Sequence, residues 1–297
     1  MIRRIPKELI GDWKKYLVVF LFLVLTIGFV SGMYVANESM ITSANEGVTK
    51  YKQEDGHFEL KKQADATLLS AIETGEKADF KATKTTLYEN FFRNEEEDYN
   101  NDGKKDGTIR VFAKTKDINL ACMLQGSFPQ KADEIAIDRM HADNVGIKVG
   151  DTVTVSGETY KVVGLLAYAN YSTLHEKTTD LMFDALKFDV AMVTQDGFDR
   201  LHKSIHYTYA WKYETEPADE AGEKTRSDNF MRALLTQVVV ADNELEDYTP
   251  KYGNPAINFA TDDMGSDKAM GGVLLDILVV ILSLIHISEP TRLQLIS

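Results

Sequence analysis

A run of residues without charge, from Tyr16 to Asn37, is the feature that most constrains how this chain can fold. It consists mainly of Leu, Val, Phe and Ile. A helix of about 20 such residues rises about 30 Å, which matches the hydrocarbon thickness of a bilayer. Trp13 and Tyr34 lie near its two ends, where aromatic rings prefer the membrane interface. A cleaved signal peptide is the alternative, but the run is long for one and no small-x-small cleavage site follows it. The sequence therefore predicts a transmembrane helix over 16–37, in contact with membrane lipid.

The residues before this helix are rich in positive charge. The basic residues are Arg3, Arg4, Lys7, Lys14 and Lys15. Because segments rich in Lys and Arg stay on the cytoplasmic side of a membrane, we expect a cytoplasmic N-terminus and an extracytoplasmic region over 38–268. The pattern also predicts that residues 1–15 form an amphipathic cytoplasmic stub under the cell membrane.

Charge and cysteine content limit the classes of partner and cofactor. The net charge is −13 at pH 7, which disfavours a nucleic-acid partner, because the phosphate backbone attracts basic proteins. The single cysteine, Cys122, allows no intramolecular disulfide and no CxxC zinc site. An extracytoplasmic domain of this size without disulfides suits a bacterial envelope protein.

The pattern beyond the membrane predicts a long helix followed by alternating strands and helices. Met40, Ala44, Val48 and Tyr51 keep helical spacing, so we expect the first helix to continue well out of the bilayer. Strands are predicted at 57–60, 83–92, 108–113, 133–138, 152–155, 159–165, 188–193, 206–213 and 238–241. Helices are predicted at 64–72, after 138, from 195, and over 216–237. A polar acidic loop is expected between the strands at 83–92 and 108–113.

These elements lack the glycine pattern of a Rossmann fold. The predicted fold class is therefore α+β, in which an N-terminal transmembrane helix precedes a two-lobed mixed α/β extracytoplasmic domain and the start of a second transmembrane helix.

Four segments occur in an order that resembles a known family. They are 124–129 (LQGSFP), 133–137 (DEIAI), 149–155 (VGDTVTV) and 160–165 (YKVVGL). This series resembles the extracytoplasmic core of MacB/FtsX-type ABC transporter permeases, although Ser127 stands where that family often has arginine. The resemblance covers residues 1 to about 281. It implies a permease whose membrane helices are moved by a separate or fused ATP-binding domain, with an ABC ATPase subunit and a second permease copy or half as partners. Because the sequence contains no P-loop, we expect no ATP hydrolysis by that mechanism in this chain.

The C-terminal part changes character near its end. An apolar run begins near Gly271 and predicts the start of a second transmembrane helix over 269–281, with Asp276 at the interface or facing a partner helix. Residues 282–297 begin with LSLIHISEPTR, which on back-translation resembles a sequencing adapter. We therefore expect 282–297 to be an artefact, and the natural protein to be longer.

The segment 98–107 (DYNNDGKKDG) matches the first half of a calcium loop. Asp98, Asn100, Asp102 and Asp106 supply oxygen atoms at loop positions 1, 3, 5 and 9, and Gly103 stands at position 6. Position 12, which is usually a bidentate Glu, is Ile109. The segment is therefore a candidate Ca²⁺ site, and an Asp/Asn/Gly-rich turn at a hairpin tip is the alternative.

Other chemistry is weakly represented in the sequence. No P-loop, GxSxG, HExxH or CxxC motif occurs, so we expect no enzymatic activity and no cofactor other than calcium. His202 and His206 have the spacing of a helical metal pair, but the strand predicted across His206 opposes that geometry. Cys122, among apolar neighbours, is predicted to be a small buried hydrophobic residue rather than a reactive thiol.

Two classes of function are compatible with these features. The first is a permease subunit of the MacB/FtsX type, which transmits the ATP-driven motion of an associated ATPase to its extracytoplasmic domain for export, extraction or signalling. The second is a membrane-anchored extracytoplasmic ligand sensor. A P-loop ATPase encoded nearby would favour the first, and a kinase or a methyl-accepting coiled coil would favour the second.

Overall fold

The N-terminal apolar segment forms one uninterrupted helix, α1, over Trp13–Lys50. Within it, Tyr16–Ala36 has a mean hydropathy of 2.4, and none of these residues is buried against the protein. The computed structural model describes residues 13–74 and 85–257. The predicted helix is therefore confirmed, including its continuation past Ala44. The predictions for 1–12, 269–281 and 282–297 lie outside the described residues.

Eleven strands and four further helices follow α1 in the part of the chain that is described. They are β1 (Gly56–Leu60), α2 (Ala66–Thr74), β2 (Thr85–Glu89), β3 (Phe92–Asp98), β4 (Gly107–Ala113), β5 (Cys122–Gly126), β6 (Glu134–Asp138), α3 (Arg139–Val145), β7 (Thr152–Val155), β8 (Glu158–Ala167), β9 (Phe188–Val193), α4 (Gln195–Asp199), β10 (Tyr207–Tyr213), α5 (Glu220–Val240) and β11 (Leu245–Pro250). A short 3₁₀ turn follows at Lys251–Gly253.

The strands form two sheets. The smaller is antiparallel and has the order β11-β1-β10-β2. The larger has the order β5-β8-β6-β9-β4-β3-β7, and β7 also pairs with β8. This extra pairing closes β8, β6, β9, β4, β3 and β7 into a ring, and β5 flanks β8. The mixed α/β domain with two lobes is thus confirmed as the fold class.

Each sheet has its own apolar core. The small sheet packs Phe58, Tyr209 and Trp211 against Phe230 and Leu234 of α5. The large sheet buries alternate residues of its strands on two faces, since successive strand side chains point to opposite sides. One face includes Ile109, Val111, Ile135, Val153 and Val162. The other includes Phe112, Leu166, Phe188 and Met192.

The acidic segment at 93–97 is a strand, so the predicted loop is wrong there. It belongs to β3, in which Glu95 and Glu97 are buried and Glu96 between them is exposed. Buried Glu95 accepts hydrogen bonds from the Lys203 backbone N–H and the Ser156 hydroxyl. Of the strand predicted at 83–92, Thr85–Glu89 forms β2, and Phe92 begins β3. These two strands belong to different sheets.

The strand predicted at 238–241 is also wrong, because α5 continues to Val240. Val238 is buried with Phe230 and Leu234, four residues apart along the same helix face. This packing outweighs the strand preference of three consecutive valines. The helix begins four residues later than predicted, where the side chain of Asp219 caps the Gly222 N–H. The strand of this region is β11.

Candidate functional site

The chain that leaves α1 is hydrogen-bonded directly to the domain. Residues 51–55, which we call the helix-exit segment, run beside residues 119 and 120. The backbone N–H of Leu120 donates to the Tyr51 carbonyl over 2.8 Å, and that of Asn119 donates to the Lys52 carbonyl over 3.0 Å. The Gln53 amide donates to the Ala169 carbonyl over 2.7 Å. Displacement of this segment would therefore break bonds to two separate parts of the domain.

A buried carboxylate organises the helix-exit segment. Glu54 is only 1% exposed. Its carboxylate accepts from Asn119 Nδ2 over 2.6 Å and lies 2.7 Å from His57 Nδ1, while its backbone N–H donates to Asn119 Oδ1. Burial opposes its charge, but the charge and hydrogen bond of His57 and the bond from Asn119 outweigh burial and lower the pKa of Glu54. Burial also opposes the charge of His57, but the charge and hydrogen bond of Glu54 outweigh burial and raise the pKa of His57.

The next residue ties the helix-exit segment to the central strand of the small sheet. The Asp55 carboxylate is 2.6 Å from Lys212 Nζ and accepts from the Tyr213 N–H over 2.8 Å. Gly56 then passes against the Trp211 ring, where an added Cβ would come within 2.2 Å of the indole. Only glycine fits this approach, which holds the start of β1 against the core.

A polar cleft of about 320 Å³ lies beside this segment, between the two sheets. Its wall contains a stack of three side chains. The guanidinium of Arg110 lies 4.3 Å from the Phe92 ring centroid, and Phe92 stacks on His206 at 4.5 Å. His206 Nδ1 is 2.7 Å from Glu59 Oε1. The cleft also borders His57, so it adjoins the buried Glu54 network.

Neutral acceptors hold the Arg110 guanidinium in place within the cleft. Its guanidinium donates to the amide oxygen of Asn94, the Tyr171 hydroxyl and the Glu176 carbonyl over 2.8–3.0 Å. All three acceptors are neutral, so these bonds fix the orientation of the guanidinium without neutralising it. Such a fixed fork suits recognition of a carboxylate or another planar oxyanion.

The four predicted calcium ligands lie together in the turn between β3 and β4. Asp98 accepts hydrogen bonds from the backbone N–H groups of Asp102 and Gly103. Asn100 bonds Asp106 through its side-chain amide, and Asp102 accepts from the Lys104 N–H. The turn interpretation accounts for these bonds. Whether the same oxygen atoms also bind calcium stays a prediction.

The remaining sequence candidates are not brought into one site. Cys122 is only partly buried, and its Sγ accepts from the Tyr51 hydroxyl over 2.8 Å, so the prediction of a buried residue is wrong, while its low reactivity stays a prediction. The reason is that Cys122 begins the flanking strand β5, whose outer side is open. His206 bonds Glu59, and the exposed His202 borders a different surface depression.

One buried cluster was missed by the sequence analysis. Glu97, His141 and Asp189 come from β3, α3 and β9, and their potential ligand atoms all lie within 4.8 Å of one another. Burial disfavours a charge on His141, but Asp189 and Glu97 outweigh it and raise the pKa of His141 to about 9. The available signal was an acidic residue, Asp189, within the otherwise apolar strand β9.

Comparisons with known proteins gave structural matches only. No family model and no curated protein matches the chain. The extracellular domain of the noncanonical ABC-type transporter YknZ from Gram-positive bacteria is 13% identical, with a TM-score of 0.32, and the match covers 64% of this chain and 100% of that one. The periplasmic region of MacB from Actinobacillus actinomycetemcomitans is 9% identical, with a TM-score of 0.33, and the match covers 64% and 88% of the two chains.

A third structure, a putative lipoprotein from Bacillus anthracis, is 10% identical, with a TM-score of 0.29, and the match covers 65% and 96% of the two chains.

Proposed function

We propose that this chain is a permease subunit of a MacB/FtsX-type ABC transporter. In this proposal a separate ABC ATPase drives motion of the membrane helices, and α1 transmits that motion to the extracytoplasmic domain. A second permease copy or half completes the assembly. The N-terminus is cytoplasmic, 16–37 spans the cell membrane, and 38–268 lies outside.

The observation that carries this proposal is the continuity of α1. The helix has 38 residues, and its apolar stretch Tyr16–Ala36 is long enough to span a bilayer. At 1.5 Å per residue, the part beyond Ala36 adds about 20 Å of helix outside the hydrocarbon. A continuous hydrogen-bonded helix resists bending along its length, so it can carry displacement as well as anchor the chain.

The helix-exit segment supports the same proposal from the domain side. Tyr51 and Lys52 are bonded through their carbonyls to residues 119 and 120, and Asp55 is bonded to β10. A pull or rotation at this segment would therefore reach the small sheet and the 119–120 segment together. The buried Glu54 makes loosening costly, because an unpaired buried carboxylate is strongly unfavourable.

The test interrupts α1 at the predicted membrane surface. Ala36→Pro removes a backbone donor and kinks the helix, at a local cost of about 3 kcal/mol. Ala36→Leu keeps the helix and is the matched control. In the assembled transporter, we expect Ala36→Pro to keep binding of the ATPase but to lose transport or substrate-stimulated hydrolysis, while Ala36→Leu retains both. Unchanged transport by a correctly inserted Ala36→Pro protein would refute transmission through α1.

The inter-sheet cleft favours a second candidate, an extracytoplasmic ligand sensor. Arg110 presents a fixed cation in a cavity large enough for a small molecule. A sensor would bind such a ligand without any associated ATPase. A small carboxylate that stabilises wild type but not Arg110→Gln, combined with absence of an ATPase from the purified native assembly, would support the sensor over the permease.

A further inference from the structure

Three ionisable side chains meet inside the large sheet where β3, β9 and α3 converge. Glu97, His141 and Asp189 are each 0% exposed. On β9, Asp189 alternates with Ala191 and Val193, so it faces the apolar core that contains those residues. His141 Nε2 and Glu97 Oε1 are 3.4 Å apart. Charged groups are rarely fully buried without a compensating partner, so this cluster requires one.

The free atoms of the cluster are the atoms that could bind a metal. Within the described part of the chain, Glu97 Oε2 and Asp189 Oδ2 have no hydrogen-bond partner, and Glu97 Oε1 and His141 Nε2 have only their 3.4 Å contact with each other. Glu95, two residues before Glu97 on the same strand face, has both oxygens bonded, to the Lys203 N–H and the Ser156 hydroxyl. The fold therefore provides hydrogen-bond donors for both carboxylate oxygens of Glu95 but not for those of Glu97.

The outer bonds of the cluster orient its free atoms towards one point. His141 Nδ1 is 2.7 Å from the Ala185 carbonyl, so Nδ1 carries a proton and Nε2 is the ring nitrogen at which a metal ion would replace a proton. Asp189 Oδ1 accepts from the Val190 and Asp138 N–H groups over 2.7 and 3.2 Å, which leaves Oδ2 free. This is the arrangement by which proteins fix histidine and carboxylate metal ligands.

We propose that Glu97, His141 and Asp189 bind a divalent transition-metal ion of the zinc class. Zn²⁺ binds both imidazole nitrogen and carboxylate oxygen, and three protein ligands would leave a fourth position open. Ligand atoms at about 2.1 Å from a tetrahedral ion lie about 3.4 Å apart, as His141 Nε2 and Glu97 Oε1 do. This proposal is independent of the permease assignment.

A divalent ion would also fit the charges of the cluster. A divalent cation with neutral His141 balances Glu97 and Asp189 completely.

An ion could approach from the surface depression next to β3. Glu97 and Asp98 line this depression, together with Gly103 of the turn and the exposed His202. Glu97 thus belongs both to the buried cluster and to the wall of the depression. Uptake requires only that this edge of the domain opens locally.

The test uses the full chain, purified in detergent without chelators. We expect one equivalent of Zn²⁺ per chain by elemental analysis, and its recovery after stripping and titration with Zn²⁺. Glu97→Gln and Asp189→Asn keep the side-chain shapes, and each should weaken Zn²⁺ affinity by more than about 100-fold, since loss of outer-shell partners alone costs 10–100-fold. Glu244→Gln, the same change at an exposed glutamate that does not line this depression, is the control and should bind as wild type does.

Co²⁺ gives a measurement on wild type that does not depend on the variants folding. Co²⁺ bound by this cluster should produce visible d–d absorption that Zn²⁺ displaces. A wild-type chain that shows neither Zn²⁺ uptake nor such a Co²⁺ spectrum would overturn the proposal. Zn²⁺ binding that is equal in wild type and in folded Glu97→Gln and Asp189→Asn proteins would overturn it as well.

Discussion

At the scale of single residues, the buried pair of Glu54 and His57 couples the helix-exit segment to the start of β1. The two groups are 2.7 Å apart, and the His57 side chain is 21% exposed. Asp247 also faces His57, at 4.0 Å from Nε2, and Arg110 opposes its protonation from the cleft side. Both groups are ionised at pH values between the lowered pKa of Glu54 and the raised pKa of His57, so the contribution of the pair to stability depends on pH.

The direction of that dependence follows from the two pKa shifts. The raised pKa of His57 gives a stabilisation that is complete below its unfolded pKa of about 6.5 and is lost as pH rises through the higher folded pKa. The lowered pKa of Glu54 gives a stabilisation that is present above about pH 4.3 and is lost as pH falls through the folded pKa. We expect the pair to contribute most between these limits.

The prediction is tested by comparing wild type with His57→Gln in urea unfolding, followed by tryptophan fluorescence. Trp211 is fully buried in the same domain and should report its unfolding. The difference in unfolding free energy should be largest near pH 5.5 and should shrink by pH 9. A difference that stays constant or grows with pH would contradict the assigned charges.

The calcium prediction also belongs to the residue scale. Titration of the full chain with Ca²⁺ should give a weak binding signal, because few ligands are present and Ile109 replaces the bidentate glutamate. Asp102→Ala should abolish that signal, and Asp143→Ala, an exposed acid on α3, should not. Identical calorimetric titrations for wild type and Asp102→Ala would leave only the turn interpretation.

The two candidate metal sites differ in how far sequence could predict them. Asp98, Asn100, Asp102 and Asp106 are local, so their spacing alone indicates a turn with convergent oxygen atoms. The buried cluster depends on contacts between β3, α3 and β9, which are distant in sequence. No local pattern specifies that Glu97 faces inwards to meet His141, because strand register decides it.

At the scale of elements, local pattern predicted most strands and failed where tertiary packing decided the outcome. The strands at β6, β7, β8 and β9 have strong alternation or continuous apolar runs, and they form as predicted. The acidic β3 has no apolar face to detect, and it becomes a strand because it pairs with β4 and β7. The valines at the end of α5 stay helical because Val238 packs on the small sheet.

The helix α5 provides a direct test of the small-sheet core. Phe230 lies 4.8 Å from the Trp211 ring and 6.2 Å from Phe58, measured between ring centroids. Phe230→Ala leaves a cavity among these rings and should reduce the unfolding free energy by about 3–5 kcal/mol.

The adjacent Met231 is the matched control, since its side chain is 37% exposed. Met231→Ala should change the unfolding free energy by about 0.5 kcal/mol or less. Both values are measured by urea unfolding with tryptophan fluorescence. Equal losses for the two variants would show that α5 does not pack on the small sheet through Phe230.

At the scale of the whole molecule, the two ends of α1 must lie in different environments, one in lipid and one in water. The exposed apolar stretch Tyr16–Ala36 would be unfavourable in water, whereas lipid contact removes that cost. The basic residues precede this stretch, and the acidic domain follows it. The sequence alone predicts the membrane segment and the side on which the domain lies, because hydropathy and flanking charge are local properties. The arrangement of the strands in two sheets could not be predicted in this way, because it depends on pairing between residues that are distant in sequence.

The accessibility of single cysteines in cells tests this membrane topology most directly. In a Cys122→Ser background, Lys7→Cys probes the cytoplasmic stub, and Lys148→Cys probes an exposed site on the domain. A membrane-impermeant maleimide should label position 148 in intact cells, with the outer membrane opened if one is present, and should label position 7 only after the cell membrane is permeabilised. Labelling of position 7 but not of position 148 in intact cells would contradict the assigned topology and the transmission of motion that depends on it.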